Sequence, residues 1–194
     1  LTDRRAGNSL SFLPPELIDS IQVNMGPASS LYGSGAMGGV MNVSLLNPTQ
    51  TSLSVSASSM GNAREVSLKT PINASTALLG SIREASNGKS GDGTPLNTSF
   101  EQSTFYVRNK SHVNDTEVST EVLVSDGNDI GKSSALFPNT RITHYPHDNH
   151  RLLNFRATTP NNWFLQTYAH QQDWASMTLR DSGLENTSDY SSMT

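Results

Sequence analysis

The sequence predicts a mostly β protein whose character changes near Thr51. After this point, about seven segments alternate apolar with polar residues and are separated by turn residues, which is typical of barrel strands. Short and long connections also alternate along the chain, as they do between the two rims of an outer-membrane barrel. A soluble antiparallel sheet has the same side-chain alternation, so it is the connections that favour a transmembrane β-barrel.

The predicted strands carry apolar residues on one face and polar residues on the other. The fifth is the clearest, because Val118, Val122 and Val124 alternate with Glu117 and Glu121. Short connections are predicted at 71–74, 112–115 and 160–162, a tight turn at 60–62, and long loops at 87–100 and 126–150. The antiparallel strands are predicted at 52–58, 65–69, 75–84, 105–108, 117–124, 153–157 and 163–171.

The residues before Thr51 are expected to form a separate small domain. Pro14 and Pro15 suit the first turn of a helix, and residues 18–25 alternate as a strand does. Gly26 and Pro27 then turn the chain, residues 28–32 are expected to form one helical turn, and residues 40–46 a second strand. Because residues 47–50 look like a boundary, the predicted domains are 1–48 and 49–194.

Composition excludes several classes of protein. The net charge of −4 argues against a nucleic-acid binder, which usually carries a basic stripe. The absence of cysteine excludes a disulfide framework and thiolate metal sites. No apolar run approaches the roughly 18–20 residues of a membrane helix. Since the chain begins at Leu1 without an initiator methionine or a signal peptide, we expect it to be an internal piece of a longer protein.

The segment from Leu13 to Val23, together with the glycine-rich stretch 26–43, resembles the end of the plug domain of TonB-dependent outer-membrane receptors. The resemblance covers about a quarter of the chain, and many positions match in order and spacing. Two positions depart from the family pattern, because Gln22 stands where an acidic residue is usual and Met25 where an arginine is frequent. The structural plug motif consists of Gly26, Pro27, Leu31, Tyr32, Gly33, Gly38, Gly39 and Asn42.

The resemblance implies a plug followed by the first strands of a barrel of about 22 strands, wide enough to need a plugged lumen. It implies a receptor in the bacterial outer membrane that is not an enzyme, needs no cofactor and imports a scarce nutrient. A ferric siderophore or other metal chelate is the leading substrate, with cobalamin, haem, zinc and glycans open. The implied partners are the TonB energy-coupling complex, through a plug segment outside this chain, outer-membrane lipid and the small-molecule chelate.

Several polar residues are candidates for contacts inside the predicted barrel. They belong to the polar faces of the predicted strands, where charged side chains would meet the plug or the lumen. The lumen-facing candidates are Glu65, Lys69, Arg108, Glu117, Glu121 and Arg156.

Two local motifs suggest other chemistry. Residues 33–38 match the G-x-G-x-x-G pattern, but a strand-like run follows instead of the helix that a dinucleotide site needs. His144, His147 and His150 lie within seven residues and could contact a metal or metal chelate from an extracellular loop; a solvated surface loop is the plainer interpretation. His170 is expected to be structural.

A different class of protein also fits part of the pattern. The alternating strands could belong to a soluble extracellular β-sandwich that acts as a binding or adhesion module, with a glycine-rich arm at its N-terminus. No Ser-His-Asp arrangement has supporting context, so nothing in the sequence suggests catalysis. Dependence of the full-length protein on detergent for solubility would separate the membrane receptor from the soluble module.

Overall fold

The computed structural model describes residues 10–27, 36, 38–134 and 140–194. Within these residues the chain is mostly β, and every paired strand is antiparallel. None of the described residues belongs to a helix long and apolar enough to cross a membrane. The strands are β1 (Ile18–Met25), β2 (Gly39–Leu45), β3 (Ser52–Ala57), β4 (Arg64–Pro71), β5 (Thr76–Ala85), β6 (Phe100–Val113), β7 (Thr116–Lys132), β8 (Arg141–Thr158), β9 (Phe164–Arg180) and β10 (Glu185–Met193).

The chain divides into two compact units. One unit is Leu13–Asn47, and the other combines the residues up to Phe12 with Pro48–Thr194. The smaller unit ends at Asn47, one residue before the end of the predicted domain 1–48, and Phe12 belongs with the large sheet. Assignment of the units as plug and barrel remains a proposal.

The smaller unit is built on a β hairpin. One 3₁₀ turn, Pro15–Leu17, precedes β1, in place of the helix that the two prolines suggest. Strands β1 and β2 pair from Ile18 with Leu45 to Met25 with Gly39, within a residue of the predicted bounds. The predicted helical turn at 28–32 lies outside the described residues.

The larger unit holds one eight-stranded sheet in which β3 to β10 follow their order in the chain. All eight strands lie in this one sheet rather than in the two facing sheets of a β-sandwich. The sequence predicts only seven strands because β10 has almost no apolar alternation. The predicted loop at 126–150 is wrong, since β7 continues to Lys132 and β8 begins at Arg141. These extensions are polar, so they lack the apolar signal that marks the rest of each strand.

The shortest connections follow from turn chemistry. Asn114 and Asp115 both have positive φ, 48° and 64°, as the two-residue hairpin between β6 and β7 requires. The side-chain oxygen of Asn73 accepts hydrogen bonds from the amides of Ser75 and Thr76, each at 2.8 Å, and so closes the turn between β4 and β5. The connection between β9 and β10 is also short, at 181–184. It lies at the rim where the sequence predicts long loops, so the alternation of short and long connections is interrupted there.

The two faces of the large sheet differ in chemistry. The apolar face carries Leu53, Val66, Phe105 and Leu165, which are 67%, 48%, 49% and 65% exposed. The polar face carries buried serine, threonine, glutamine and histidine side chains. Register places all six lumen-facing candidates on that polar face: Glu65, Lys69, Arg108, Glu117, Glu121 and Arg156. That this face lines a lumen stays a prediction.

Candidate functional site

A carboxylate-centred cluster occupies the polar face between β6 and β8. Glu121 accepts hydrogen bonds from Tyr106 Oη at 3.1 Å and from Asn154 Nδ2 at 2.9 Å. The Arg108 guanidinium lies 3.6 Å from the same carboxylate, and the side chains of Arg108 and Glu121 are only 21% and 17% exposed. Adjacent strands supply these partners because Arg108 pairs with Glu121 and Glu121 with Asn154. We call these four residues the Glu121 cluster.

A more exposed ion pair lies two residues further along the same face. Lys110 Nζ is 2.8 Å from Glu117 Oε2, but both side chains are about two-fifths exposed. An ion pair in contact with solvent contributes little to stability. The Glu121 cluster is therefore the stronger structural element of the two.

The three histidines of 144–150 lie in strand β8 rather than in a loop. Pro146 has no amide hydrogen to donate to a neighbouring strand. Its neighbour on β7 is Asp129, which adopts φ 48°. Pro146 and Asp129 do not pair with each other, although the residues on either side of them do. The pairing of β8 with β9 also shifts between His144 and Asp148. This irregularity is a β-bulge. The imidazoles are kept apart by the extended strand itself, which rises about 3.3 Å per residue and so spreads positions 144 to 150 over roughly 20 Å.

Each of these histidines has its own surroundings. His144 lines a polar pocket near the ends of the strands. His147 is about one-third exposed and lies 3.9 Å from Asp173. His150 is fully buried on the polar face. Among the described residues no group of three His, Cys, Asp or Glu side chains could hold a metal ion, so contact with a metal chelate stays a prediction for each histidine separately.

The long loop between β5 and β6 is held against strands on both sides. Its first residues bond to the β3–β4 turn, where the Ser86 amide donates to the Gly61 carbonyl at 2.7 Å. Its last residues bond to β7 and β8, where the Gly131 amide donates to the Ser99 carbonyl at 2.7 Å and Asn97 Nδ2 donates to the Thr143 carbonyl at 2.6 Å. The loop is thus an ordered wall at this end of the sheet.

Glycine is required where the loop meets the strands. A Cβ on Gly131 would lie 2.7 Å from the carbonyl carbon of Asn97. A Cβ on Gly61 would lie 2.4 Å from the Ser86 carbonyl oxygen, and Gly61 has φ +64°, a left-handed conformation that favours glycine. Close backbone contact at these two positions sets the place of the loop.

A polar pocket of about 450 Å³ lies between this loop and the strand ends. Glu101 also lines a second pocket of about 240 Å³, next to Arg64 and Glu84, which are paired at 3.9 Å. The larger pocket, which we call the rim pocket, is lined by Ala85, Ser86, Asn87, Asn97, Ser99, Phe100, Glu101, Asp129 and His144. Sequence analysis missed all of these residues except His144, because they converge only when the loop folds back on the strands.

The tip of the loop has a carboxylate that stabilises its own turn. Asp92 accepts hydrogen bonds from the Ser90 hydroxyl and from the Thr94 amide, the latter at 3.0 Å, and these bonds lower the pKa of Asp92 to about 2. The stabilisation is complete above the ordinary pKa of 3.8 and is lost as the pH falls through about 2.

We therefore expect the loop tip to stay ordered down to about pH 4 and to loosen only towards pH 2. Trypsin cleavage cannot follow this range, so amide exchange of the peptide containing 88–96 is the measurement. In an Asp92→Asn variant, the amides of 88–96 should exchange at every pH as fast as those of the parent do near pH 2. Equal exchange in the parent and this variant at pH 6 would contradict the assigned role.

The described part of the plug motif lies at the loop end of the β1–β2 hairpin and in the first half of β2. Gly26 has φ +115° and donates its amide to the Gly38 carbonyl at 3.4 Å. Gly39 has φ +145°, and a Cβ there would lie 2.6 Å from the Asn24 carbonyl oxygen. Pro27 follows Gly26 at the turn, and Asn42 pairs with Gln22 in the ladder. Leu31, Tyr32 and Gly33 lie outside the described residues.

Comparison with known proteins gives this hairpin its family. Residues 2–40 match the model of the TonB-dependent receptor plug domain. The chain carries a plug segment of the TonB-dependent receptor family. This confirms the family that the glycine-rich motif indicates. No solved structure shows a significant match to the chain.

Two curated receptors resemble part of this chain. The ferrienterobactin receptor of Escherichia coli is 46% identical over 41 residues, which is 21% of this chain and 6% of that protein. The ferric enterobactin receptor PirA of Pseudomonas aeruginosa is 43% identical over 47 residues, 24% of this chain and 6% of that protein. This chain therefore covers only a small fraction of these receptors, and the likeness is confined to about the length of the plug segment.

Proposed function

We propose that this chain is the end of the plug and the first barrel strands of an outer-membrane receptor that imports a ferric siderophore. Two observations carry the proposal: residues 2–40 match the plug-domain model, and part of the chain resembles two receptors named for ferric enterobactin. The eight-stranded sheet supports it, because an exposed apolar face opposite a polar face suits a wall between lipid and a wet lumen. Transport needs no catalytic group, and the family implies the TonB complex as the partner that supplies energy.

The rim pocket is our candidate for part of the substrate-binding surface. It lies at the end of the sheet with the longest ordered loop, and its walls are polar. Glu101 and Asp129 offer carboxylate acceptors, so this pocket suits a hydrogen-bond donor or a cationic part of the ligand, and the negatively charged iron centre of a ferric catecholate would bind elsewhere. The Glu121 cluster lies further along the polar face and is our candidate for a structural part of the wall.

The proposed transport is tested with the full-length protein in a strain that lacks its own ferric-siderophore receptors. We expect receptor-dependent uptake of ⁵⁵Fe supplied as a ferric catecholate, and we expect loss of that uptake when the TonB gene is deleted. Parallel assays with labelled cobalamin and with haem test the other substrates. Uptake no greater than that of the empty vector for all of these compounds would reject the proposed function.

The role of the rim pocket is tested by a matched pair of histidine variants. His144→Ala removes a side chain that lines the pocket, and we expect ligand affinity to fall by about 1 kcal/mol, or roughly fivefold. His147→Ala, three residues away and facing Asp173, is the control and should bind as the parent does. If both variants bind with the parent affinity while uptake persists, the ligand contacts other residues and the rim pocket is the wrong site.

A further inference from the structure

A short segment of chain lies on the polar face of the large sheet. Phe12 is buried and its ring stacks on the His150 imidazole, with 4.1 Å between ring centroids and 17° between the planes. Ser125 Oγ donates to the Phe12 carbonyl at 3.0 Å, and Arg83 Nη2 donates to the Ser11 carbonyl. Three strands therefore hold two consecutive residues that are distant from them in sequence.

The side chains beneath this segment are connected to each other. Arg83 Nε donates to Gln102 Oε1 at 2.6 Å, and Gln102 Nε2 donates to Ser125 Oγ at 2.8 Å. The Thr104 hydroxyl lies 3.1 Å from the same Ser125 oxygen. The network fixes the orientation of the two groups that bind the carbonyls, Arg83 and Ser125, so the site is preorganised for a peptide backbone.

The aromatic half of the site is a pair of imidazoles. His150 Nδ1 lies 3.1 Å from His170 Nε2, and the two rings are nearly coplanar, 7° apart. Asp148 Oδ1 is 3.1 Å from His150 Nε2 and accepts a hydrogen bond from Gln172 at 2.8 Å. This arrangement keeps the His150 ring parallel to Phe12, which gives the stack a defined geometry.

The site leaves some buried polar atoms without hydrogen bonds while Phe12 covers it. His150 Nε2 faces Asp148 without hydrogen-bond geometry, and Gln172 Oε1 has no partner among the described residues. Buried polar atoms in this state are costly, and water would satisfy them if the segment left. Burial of Phe12 and the two carbonyl bonds stabilise the closed state, whereas hydration favours the open one.

We infer that the polar face of β5–β9 is a docking site for the residues 11–12, an internal latch that is closed in this structure and able to open. We call it the Phe12 latch; it comprises Ser11, Phe12, Arg83, Gln102, Ser125, His150 and His170. The occupant is this chain's own segment, because the site binds two of its backbone carbonyls and its one aromatic ring. Leu13, the next residue, begins the smaller unit, so both residues of the latch segment belong to the unit that contains the large sheet.

The latch is tested by the accessibility of a thiol placed beneath Phe12. Ser125→Cys puts a side chain of similar size at a fully buried position, in a full-length protein from which any cysteine outside this chain has first been replaced by serine. We expect slow reaction with a small maleimide, and a rate about tenfold or more higher after Phe12→Ala. The matched control is Ser67→Cys, which is equally buried on the same face; its reactivity should not respond to Phe12→Ala.

A second measurement does not depend on an introduced cysteine. Diethyl pyrocarbonate modifies accessible imidazoles, so His147, which is about one-third exposed, should react in every variant, and His150 only when the latch opens. Phe12→Ala and Arg83→Met should both expose His150, while Phe12→Leu, which keeps apolar bulk, should expose it less. Unchanged protection of His150 in all three variants, or rapid modification of His150 in the parent, would overturn the inference.

Discussion

Replacing Glu121 with leucine is expected to produce the largest loss of stability among single changes in the sheet. The change leaves Arg108, Tyr106 and Asn154 without their shared acceptor on a face that is mostly buried. Breaking a buried charge pair by removing one partner costs roughly 3–5 kcal/mol. Because the side chains of Arg108 and Glu121 keep some exposure, we expect about 2–3 kcal/mol.

The measurement is the urea midpoint of the full-length protein refolded in detergent, followed by the shift between folded and unfolded bands in unboiled gels. Glu117→Leu is the matched control, since it breaks an ion pair on the same strand and face whose side chains are about two-fifths exposed. That variant should lose less than about 1 kcal/mol. Glu121→Gln should fall between the two, because the amide keeps an acceptor but loses the charge. Equal losses in the two leucine variants would show that burial of the Glu121 cluster does not increase its contribution to the free energy of unfolding.

Replacing Gly131 with valine is expected to displace the loop between β5 and β6 and to open the rim pocket. The new Cβ would meet the Asn97 backbone at 2.7 Å, a distance that backbone cannot accommodate without moving. Loss of the Gly131–Ser99 and Asn97–Thr143 hydrogen bonds should follow. If the pocket binds substrate, affinity should fall about tenfold or more, because the pocket loses its loop wall.

Loop displacement has a readout that does not depend on the substrate. Lys89 lies within the loop, so trypsin should cleave the Gly131→Val protein there faster than it cleaves the parent. Gly80→Val is the control, because a Cβ at Gly80 meets nothing within 4 Å. Cleavage at Lys89 that is as slow in Gly131→Val as in Gly80→Val would contradict the structural part of the prediction. Faster cleavage with unchanged ligand affinity would reject only the rim pocket as the substrate site.

Most strands of the large sheet are predictable because their signal is local. Alternation with period two places Val122 and Glu121 on opposite faces wherever the strand pairs, and the polar face follows from the same rule. Turn residues with special conformations, such as Asn114 and Asp115, mark the hairpin between β6 and β7. The plug hairpin is predictable for another reason. Gly26 and Gly39 have positive φ, which favours glycine, and the required glycines make the motif recognisable in the sequence.

The missed parts of the sheet lack this local signal. Strand β10 has Tyr190 and Met193 as its only large apolar residues, and the polar ends of β7 and β8 have no alternation to detect. Their strand structure comes from pairing with neighbours that are already in the sheet. The predicted loop at 126–150 was therefore too long, and the histidines within it were placed wrongly.

The sequence by itself determined the fold class, the two chemical faces of the sheet and the plug motif, because each depends on residues close together in the chain. Only the tertiary structure decided which side chains meet. It placed His144, His147 and His150 along the extended strand β8, where their imidazoles do not converge, and it brought Phe12 onto His150 from a distant part of the chain. The physical reason is that contacts between side chains depend on long-range strand pairing and on segments that fold back onto the sheet, and neither leaves a local pattern in the sequence.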